Sequence, residues 1–301
     1  MQTLTKDIPF MITKRKPVVI YAFADTHVGS EDFNETLLKE HIAQCKYEKA
    51  LWMHLGDWCE AISPKDKRHD VRTPDIDVVA QYDLVEELFM PIKNKGLCIL
   101  SGNHDETIAK VHGDYVARLG RRLGVPYLGY IGFINLRIWH QADRLKERMQ
   151  PNYRYSIFAW HGNAGGGLLG SKAINIQRLS HKFEADLYLV GHAHTLLTHS
   201  DVIVGLGSTK DGITQLHNRT RQYVSVPSYL QPYRTSSLPS YASTAAMYPQ
   251  PCGCVRIEIN RINDCLVTDV RPVLDIGTGA RLYDNSTYDE ITANTMVIKN
   301  E

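Results

Sequence analysis

Gly96-Leu97-Cys98-Ile99-Leu100-Ser101-Gly102-Asn103-His104-Asp105 joins an apolar run to a crowd of polar groups with no spacer between them. The first five residues read as a buried strand, which must end where glycine, amide, imidazole and carboxylate follow one another. Gly102 has access to backbone angles closed to other residues and lets a ligand or metal approach closely. Asn103 offers a neutral oxygen, His104 a proton donor or acceptor, and Asp105 a partner to orient it. Four residues alone prove little. The same arrangement, a short apolar strand ending in His, Asp or Gly, recurs four more times along the chain.

Upstream, Pro17 to Ala24 is rich in β-branched and aromatic residues, reads as a central strand and ends in Asp25-Thr26-His27. Standing alone, that end would be a turn with an Asp helix cap. Leu37, Leu38, Ile42 and Cys45 fall near helical spacing, as in the crossover helix of a βαβ unit. Ala50 to Leu55 is a second strand, ending in Gly56-Asp57. A charged loop follows, with Lys65, Lys67, Arg68, His69 and Arg72; solvation explains it, and phosphate contact by Lys67, Arg68 and Arg72 is the alternative. Val78, Val79, Tyr82, Val85, Leu88 and Phe89 then form the apolar side of a helix that leads to Gly96.

Downstream, Thr107 to Leu123 reads as one helix stopped by Gly124. His112 on it is a surface residue with a secondary reading as a substrate contact. Strands are expected between Tyr127 and Trp139, followed by a basic connection from Gln141 to Arg154. Tyr155 to Trp160 is a strand capped by His161-Gly162, and Ala185 to Val190 is another, ending in Gly191-His192-Ala193-His194. Gly165 to Gly170 formally matches Gly-x-Gly-x-x-Gly, but the match is isolated, and Ser171 stands where a P-loop needs lysine. A glycine loop beside the site is the simpler reading. Val202 to Gly205, Gln222 to Val226, and a hairpin of Gly253 to Ile259 with Cys265 to Val270 extend the sheet. Tyr229, Tyr233, Tyr241 and Tyr248, with Arg234, lie in a Pro/Ser-rich loop that covers a sheet edge or stacks on nucleobases.

The 301 residues are 43% hydrophobic and 22% charged, the composition of a globular protein long enough to bury a large core. The periodicity gives an α/β chain: one domain over 1–275, with its motifs in 17–200, and a polar tail over 276–301. A net charge of +1 gives no global attraction to nucleic acid or anionic membranes. No apolar run is long enough for a signal-peptide core or a membrane span, so a cytoplasmic protein without a membrane partner is expected. The six cysteines show no Cys-x-x-Cys pair and read as reduced thiols.

In open α/β sheets, ligands bind beyond the carboxyl ends of the strands. Five strands here end in Asp25/His27, Asp57, Asn103/His104, His161 and His192/His194. These oxygen and nitrogen donors, with no thiolate, suit Mn²⁺, Fe or Zn²⁺, with Ni²⁺ and Co²⁺ also acceptable. They are too many for one tetrahedral ion, whereas two ions about 3.5–4 Å apart that share a carboxylate would use them all.

The ordered set Asp25-x-His27, Gly56-Asp57, Gly102-Asn103-His104-Asp105, His161-Gly162 and Gly191-His192-x-His194 resembles the motifs of the calcineurin-like metallophosphoesterase superfamily. The resemblance implies two mixed β-sheets packed as a sandwich flanked by helices. It implies one divalent ion on Asp25, His27 and His194, another on Asn103, His161 and His192, and Asp57 between them, with Mn²⁺ the leading choice. His104 would be the general acid, oriented by Asp105, while a hydroxide shared by the ions attacks phosphorus. Glu60 departs from the residue types many relatives carry at its position, which puts the outer contacts of the site in question. The Gly-Asn-His-Asp form leans toward phosphodiesterases and DNA-repair-type exonucleases, with single- or double-stranded nucleic acid among the substrates. Lys67, Arg68, Arg72, His112, Tyr233 and Arg234 are the candidate substrate contacts. Phosphomonoester hydrolysis is the alternative, and a non-catalytic metal-binding scaffold is the alternative from another class. Oligomeric state is not legible.

Overall fold

The computed structural model describes residues 1–8, 17–62, 77–138, 153–163, 168–208, 212, 214–231, 233, 248–262 and 265–275. Its strands are β1 (Gln2–Ile8), β2 (Val18–Phe23), β3 (Leu51–His54), β4 (Gly96–Ile99), β5 (Ile131–Ile138), β6 (Tyr153–Trp160), β7 (Leu187–Val190), β8 (Leu197–Ser208), β9 (Thr214–Ser225), β10 (Cys252–Ile262) and β11 (Cys265–Asp275). They form two mixed sheets, ordered β1-β5-β6-β7-β9-β8 and β11-β10-β2-β3-β4. Five α-helices are described: α1 (Glu35–Tyr47), α2 (Val78–Phe89), α3 (Asn103–His112), α4 (Tyr115–Leu123) and α5 (Leu169–Gln177).

Alternation along the strands explains the layering. In β2, Ile20 and Ala22 point into a core shared with Met53, Cys98, Leu136, Ile157, Leu187 and Val224, which lies between the two sheets. Tyr21 and Phe23 point the other way and pack with Trp52, Leu38, Ile42, Val85, Phe89 and Leu119, from β3 and the helices. On the outer face of the larger sheet, Phe158, Tyr188 and Tyr223 pack with Ile176 of α5. The sandwich flanked by helices that the motifs implied is the fold observed. Buried on both faces, β2, β3 and β4 run parallel and carry near-continuous apolar sequence. Their carboxyl ends therefore open at one edge of the sandwich, beside those of β6 and β7, which are also parallel to each other.

Two elements differ from the sequence expectation. The segment read as one helix over 107–123 is α3 and α4, divided at Gly113, whose φ is +96°. Asp114 restarts the chain by accepting from Ala117 N–H at 2.8 Å. Also, α3 begins at Asn103, so the chemistry-bearing residues sit in its first turn instead of before it. β1 was not expected as a strand, because its residues are mostly solvent-facing and carry no apolar alternation. It pairs in parallel with β5, where Asp7 accepts two bonds from Arg137 at 2.8 and 2.7 Å.

Lys67, Arg68, Arg72 and Arg234 lie outside the described residues, as do the glycines at 165–167, Tyr241, most of the basic connection and the C-terminal tail. No described helix is long and apolar enough to cross a membrane. All six cysteines are free thiols, five of them buried.

Candidate metal centre

Seven non-glycine residues among those described have positive φ, and five of them are Asp25, His27, Asp57, His192 and His194. Side chains other than glycine take this left-handed conformation at a cost, and it collects at functional turns. After β2, β3 and β7 the chain turns sharply at these residues, out of the line of the strand. Gly56, at φ +104°, supplies the turn before Asp57. Gly102 works differently from the expected way, because its φ of −111° is open to any residue. Its missing side chain is what matters: a Cβ there would lie 2.1 Å from Asp57 Oδ1.

The two buried aspartates are held alike. Asp25 Oδ2 accepts from His192 N–H at 2.8 Å, which leaves Oδ1 facing His194 Nε2 at 3.3 Å. Asp57 Oδ1 accepts from His104 N–H at 2.9 Å, which leaves Oδ2 at 3.3 Å from His161 Nε2 and 3.8 Å from His27 Nε2. One oxygen of each carboxylate is fixed by backbone, and the other looks into the cluster.

The imidazoles are oriented from behind. His27 Nδ1 lies 2.8 Å from Glu60 Oε2, and His161 Nδ1 lies 2.8 Å from the Leu55 carbonyl oxygen. An ionised carboxylate and a carbonyl only accept, so both Nδ1 atoms carry a proton and both Nε2 atoms are left to face the cluster, able to offer a lone pair to an ion or to take a second proton. There His27 Nε2 meets His194 Nε2 at 3.3 Å, and His161 Nε2 meets Asn103 Oδ1 at 3.1 Å. Asp25 Oδ1 and His192 Nδ1 are buried with no hydrogen-bond partner. Acceptors crowded this way need positive charge between them.

The protonation equilibria express the same demand. Burial lowers the His27 pKa, but the Glu60 hydrogen bond and the charges of Glu60, Asp57 and Asp25 raise it overall to about 9. His161 also reaches about 9, where Asp57 outweighs burial. Burial pushes the Asp57 carboxyl up, yet His161, His104 and His27 hold it well below the usual carboxylate range. The His27 and His161 rings draw protons toward the carboxylates.

Three groups have ligand atoms within 4.8 Å of one another: Asp25 with His27 and His194, Asp57 with His161 and His192, and His27 with Asp57 and His104. The first two coincide with the expected pair of sites, with Asn103 beside the second and Asp57 between them. The third includes His104, so proximity by itself also permits that imidazole as a ligand.

Asp105 has a different task from the orienting one expected. His104 Nδ1 lies 2.6 Å from the Glu60 carbonyl oxygen, which fixes the ring. Asp105 Oδ2 accepts from the backbone N–H of Asp57 at 2.9 Å and of Gly102 at 2.8 Å, and Oδ1 accepts from Tyr82 OH at 2.6 Å. It ties the β3 turn to the β4 turn. Burial, together with the Asp57 charge, raises its pKa to about 6. Glu60 joins the site by side chain and carbonyl alike. Tyr82 and Lys172 were not singled out for the site; Lys172 Nζ donates to Ala193 O at 2.9 Å, between the two candidate ligand histidines of that turn. Nothing local in the sequence marks either contact, since each partner comes from a distant turn.

Of the expected substrate contacts within the described residues, His112 is exposed at the far end of α3 from Asn103, about 13 Å along the axis at 1.5 Å per residue. The structure does not bring it to the cluster. Tyr233 is 48% exposed, beyond the bridge between Phe33 and Leu230.

The family model of the calcineurin-like phosphoesterases matches residues 18–196, from the first residue of β2 to just beyond His194. The chain belongs to this family. All seven ligand candidates of this calcineurin-like phosphoesterase lie in the matched span, as do His104 and Asp105. No curated protein matches the sequence. Among solved structures, a conserved uncharacterised protein of Streptococcus pneumoniae described as a predicted phosphoesterase is 15% identical, with 87% of this chain and 94% of that chain covered and a TM-score of 0.34. Vacuolar protein sorting 29 from Cryptosporidium parvum is 13% identical over 86% and 99% of the two chains, with a TM-score of 0.39. A metallophosphoesterase from Sphaerobacter thermophilus is 14% identical over 92% and 94%, with a TM-score of 0.33.

Proposed function

We propose that this calcineurin-like phosphoesterase hydrolyses phosphodiesters with two divalent ions, Mn²⁺ first among the candidates, and with His104 as general acid. Asp57 Oδ2 carries the assignment, because it lies between the inward Nε2 atoms of His27 and His161 while its other oxygen is fixed by backbone. Asp25, His27 and His194 would hold one ion, Asn103, His161 and His192 the other, and Asp57 both. Ions in these positions acidify water and offset charge on phosphoryl oxygens.

The chain's own groups do the rest. The backbone N–H of His104 and of His192 keep the two aspartates ionised and aimed, so the site is organised before substrate arrives. With Nδ1 committed to the Glu60 carbonyl, His104 meets substrate through Nε2, the atom that would deliver a proton to the departing alkoxide. Burial and the neighbouring His27 lower the pKa of this imidazole. An arriving phosphate opposes that shift, so the acid forms where it is needed. Preference for diesters is supported by the Asp form of the Gly102 to Asp105 motif.

The deciding assay compares a nitrophenyl diester, a nitrophenyl monoester and single-stranded DNA, each titrated with Mn²⁺. The diester and DNA should turn over faster than the monoester. His104→Ala should retain its metals and lose about 10²–10⁴-fold in rate, most on esters with poor leaving groups. Full activity of His104→Ala on such esters would remove His104 from the role, and faster monoester turnover would move the function to phosphomonoesters.

A further inference from the structure

A second cleft lies away from the metal centre. It has a volume of about 660 Å³ and opens where β4 begins, at the opposite end of that strand from Asn103, between β1, the 3₁₀ turn Met90–Lys95 and the end of α4. Leu4 and Pro126 are its accessible apolar groups, above the buried Leu97 and Leu123. Lys6, Lys93, Arg121 and Arg122 line it as cations, Asn94 adds an amide, and no carboxylate residue is among the described lining.

The four cations are not equivalent. Arg122 is neutralised from outside the cleft by Glu86 at 2.6 Å and Asp83 at 3.3 Å. Lys6, Lys93 and Arg121 have no ion-pair, hydrogen-bond or ring partner among the described residues. For Arg121 this is uncommon, since the other described arginines, Arg178 apart, are engaged by carboxylates, rings or other groups, whereas most described lysines stand as Lys6 and Lys93 do. Compensation of helix dipoles accounts for Lys93 and Arg121, which end a 3₁₀ turn and α4. It does not account for Lys6, which comes from a strand of the other sheet, nor for a described lining without a single acid. A chain with a net charge of only +1 has gathered cations from three elements, three of them without a partner among the described residues, around one cleft.

We propose that this cleft binds a small phosphomonoester with an apolar body, at a site separate from the metal centre. The volume falls within the roughly 300–1,000 Å³ of small-molecule sites, which combine apolar walls with a few placed polar groups. Arg121 and the two lysines meet the phosphate dianion, and Leu4 and Pro126 meet the rest of the ligand. The site stands whether or not the metal centre hydrolyses diesters.

The test is calorimetric titration of the full, Mn²⁺-loaded chain with phenylphosphonate, which pairs a phosphate-like anion with an apolar ring and has no ester to cleave. Two binding events are expected. Lys93→Glu with Arg121→Glu should weaken one at least tenfold and leave diester hydrolysis unchanged, whereas His161→Gln should remove only the other. The milder pair Lys93→Gln and Arg121→Gln guards against loss of fold and should give an intermediate affinity. Methylphosphonate should bind the cleft more weakly than phenylphosphonate. The proposal is overturned if the glutamate pair titrates like wild type, or if His161→Gln abolishes all binding.

Discussion

Glu60 joins two tasks that sit on different turns. Its carboxylate holds the Nδ1 proton of His27 while its carbonyl holds that of His104. Removing the carboxylate frees the His27 ring to rotate and to change tautomer, and loss of such an outer partner typically costs 10–100-fold in metal affinity. Glu60→Ala should therefore weaken one of two Mn²⁺ dissociation constants by that order, with the other ion held as before. Glu60→Gln, whose amide oxygen still accepts the proton, should lose less. Equal Mn²⁺ affinities for Glu60→Ala and wild type would sink this account of the residue. In the sequence Glu60 was visible only as a departure from a motif. Which ring it grips is set by the left-handed turns at His27, Asp57 and Ala61, and these residue types do not announce such turns.

At the scale of elements, the turn after β3 and the start of α3 occupy the same space. Gly102 makes this possible, since a Cβ there would come within 2.3 Å of the Asp57 backbone nitrogen and 2.1 Å of its Oδ1. Gly102→Ala is expected to cost about 1–3 kcal/mol by overpacking and to lower metal affinity as Asp57 shifts. Gly170→Ala is the control: nothing lies within 4 Å of the added methyl, and α5 should gain up to about 1 kcal/mol. Chemical denaturation of the two variants would reverse the prediction if Gly102→Ala proved the more stable. Helix α1 carries a second test through His41, which is buried against Tyr229 OH at 2.8 Å. Burial holds its pKa at about 4 against an ordinary 6.5. The unfolded chain then binds the extra proton first, so stability is full above pH 6.5 and falls as pH drops toward 4. The loss attributable to this ring is roughly 3 kcal/mol. His54, held at about 3 by burial, acts in the same direction. His41→Gln should flatten the fall in stability over this range, and an unchanged slope would show that the ring does not titrate as described.

Across the molecule, the strands that carry the chemistry were legible because burial on both faces makes β2, β3, β4, β7 and the second half of β6 apolar runs. Their ends were legible because His, Asp and Asn have no packing reason to follow such runs. β1 escaped notice because a mostly exposed edge strand needs no apolar period, and the break at Gly113 escaped because α3 and α4 share one helical composition. The tasks of Asp105 and Tyr82 were hidden for another reason. Adjacency in sequence suggested that Asp105 faces His104, whereas the first turn of a helix points successive side chains in different directions. What the fold adds is convergence, in which five turns from both sheets bring two carboxylates and five imidazoles within reach of one another. Anomalous diffraction from Mn²⁺-loaded crystals tests this most directly. Two peaks about 3.5–4 Å apart are predicted, one against Asp25, His27 and His194, the other against Asn103, His161 and His192, and both against Asp57. A single ion, or ions bound away from Asp57, would contradict the account.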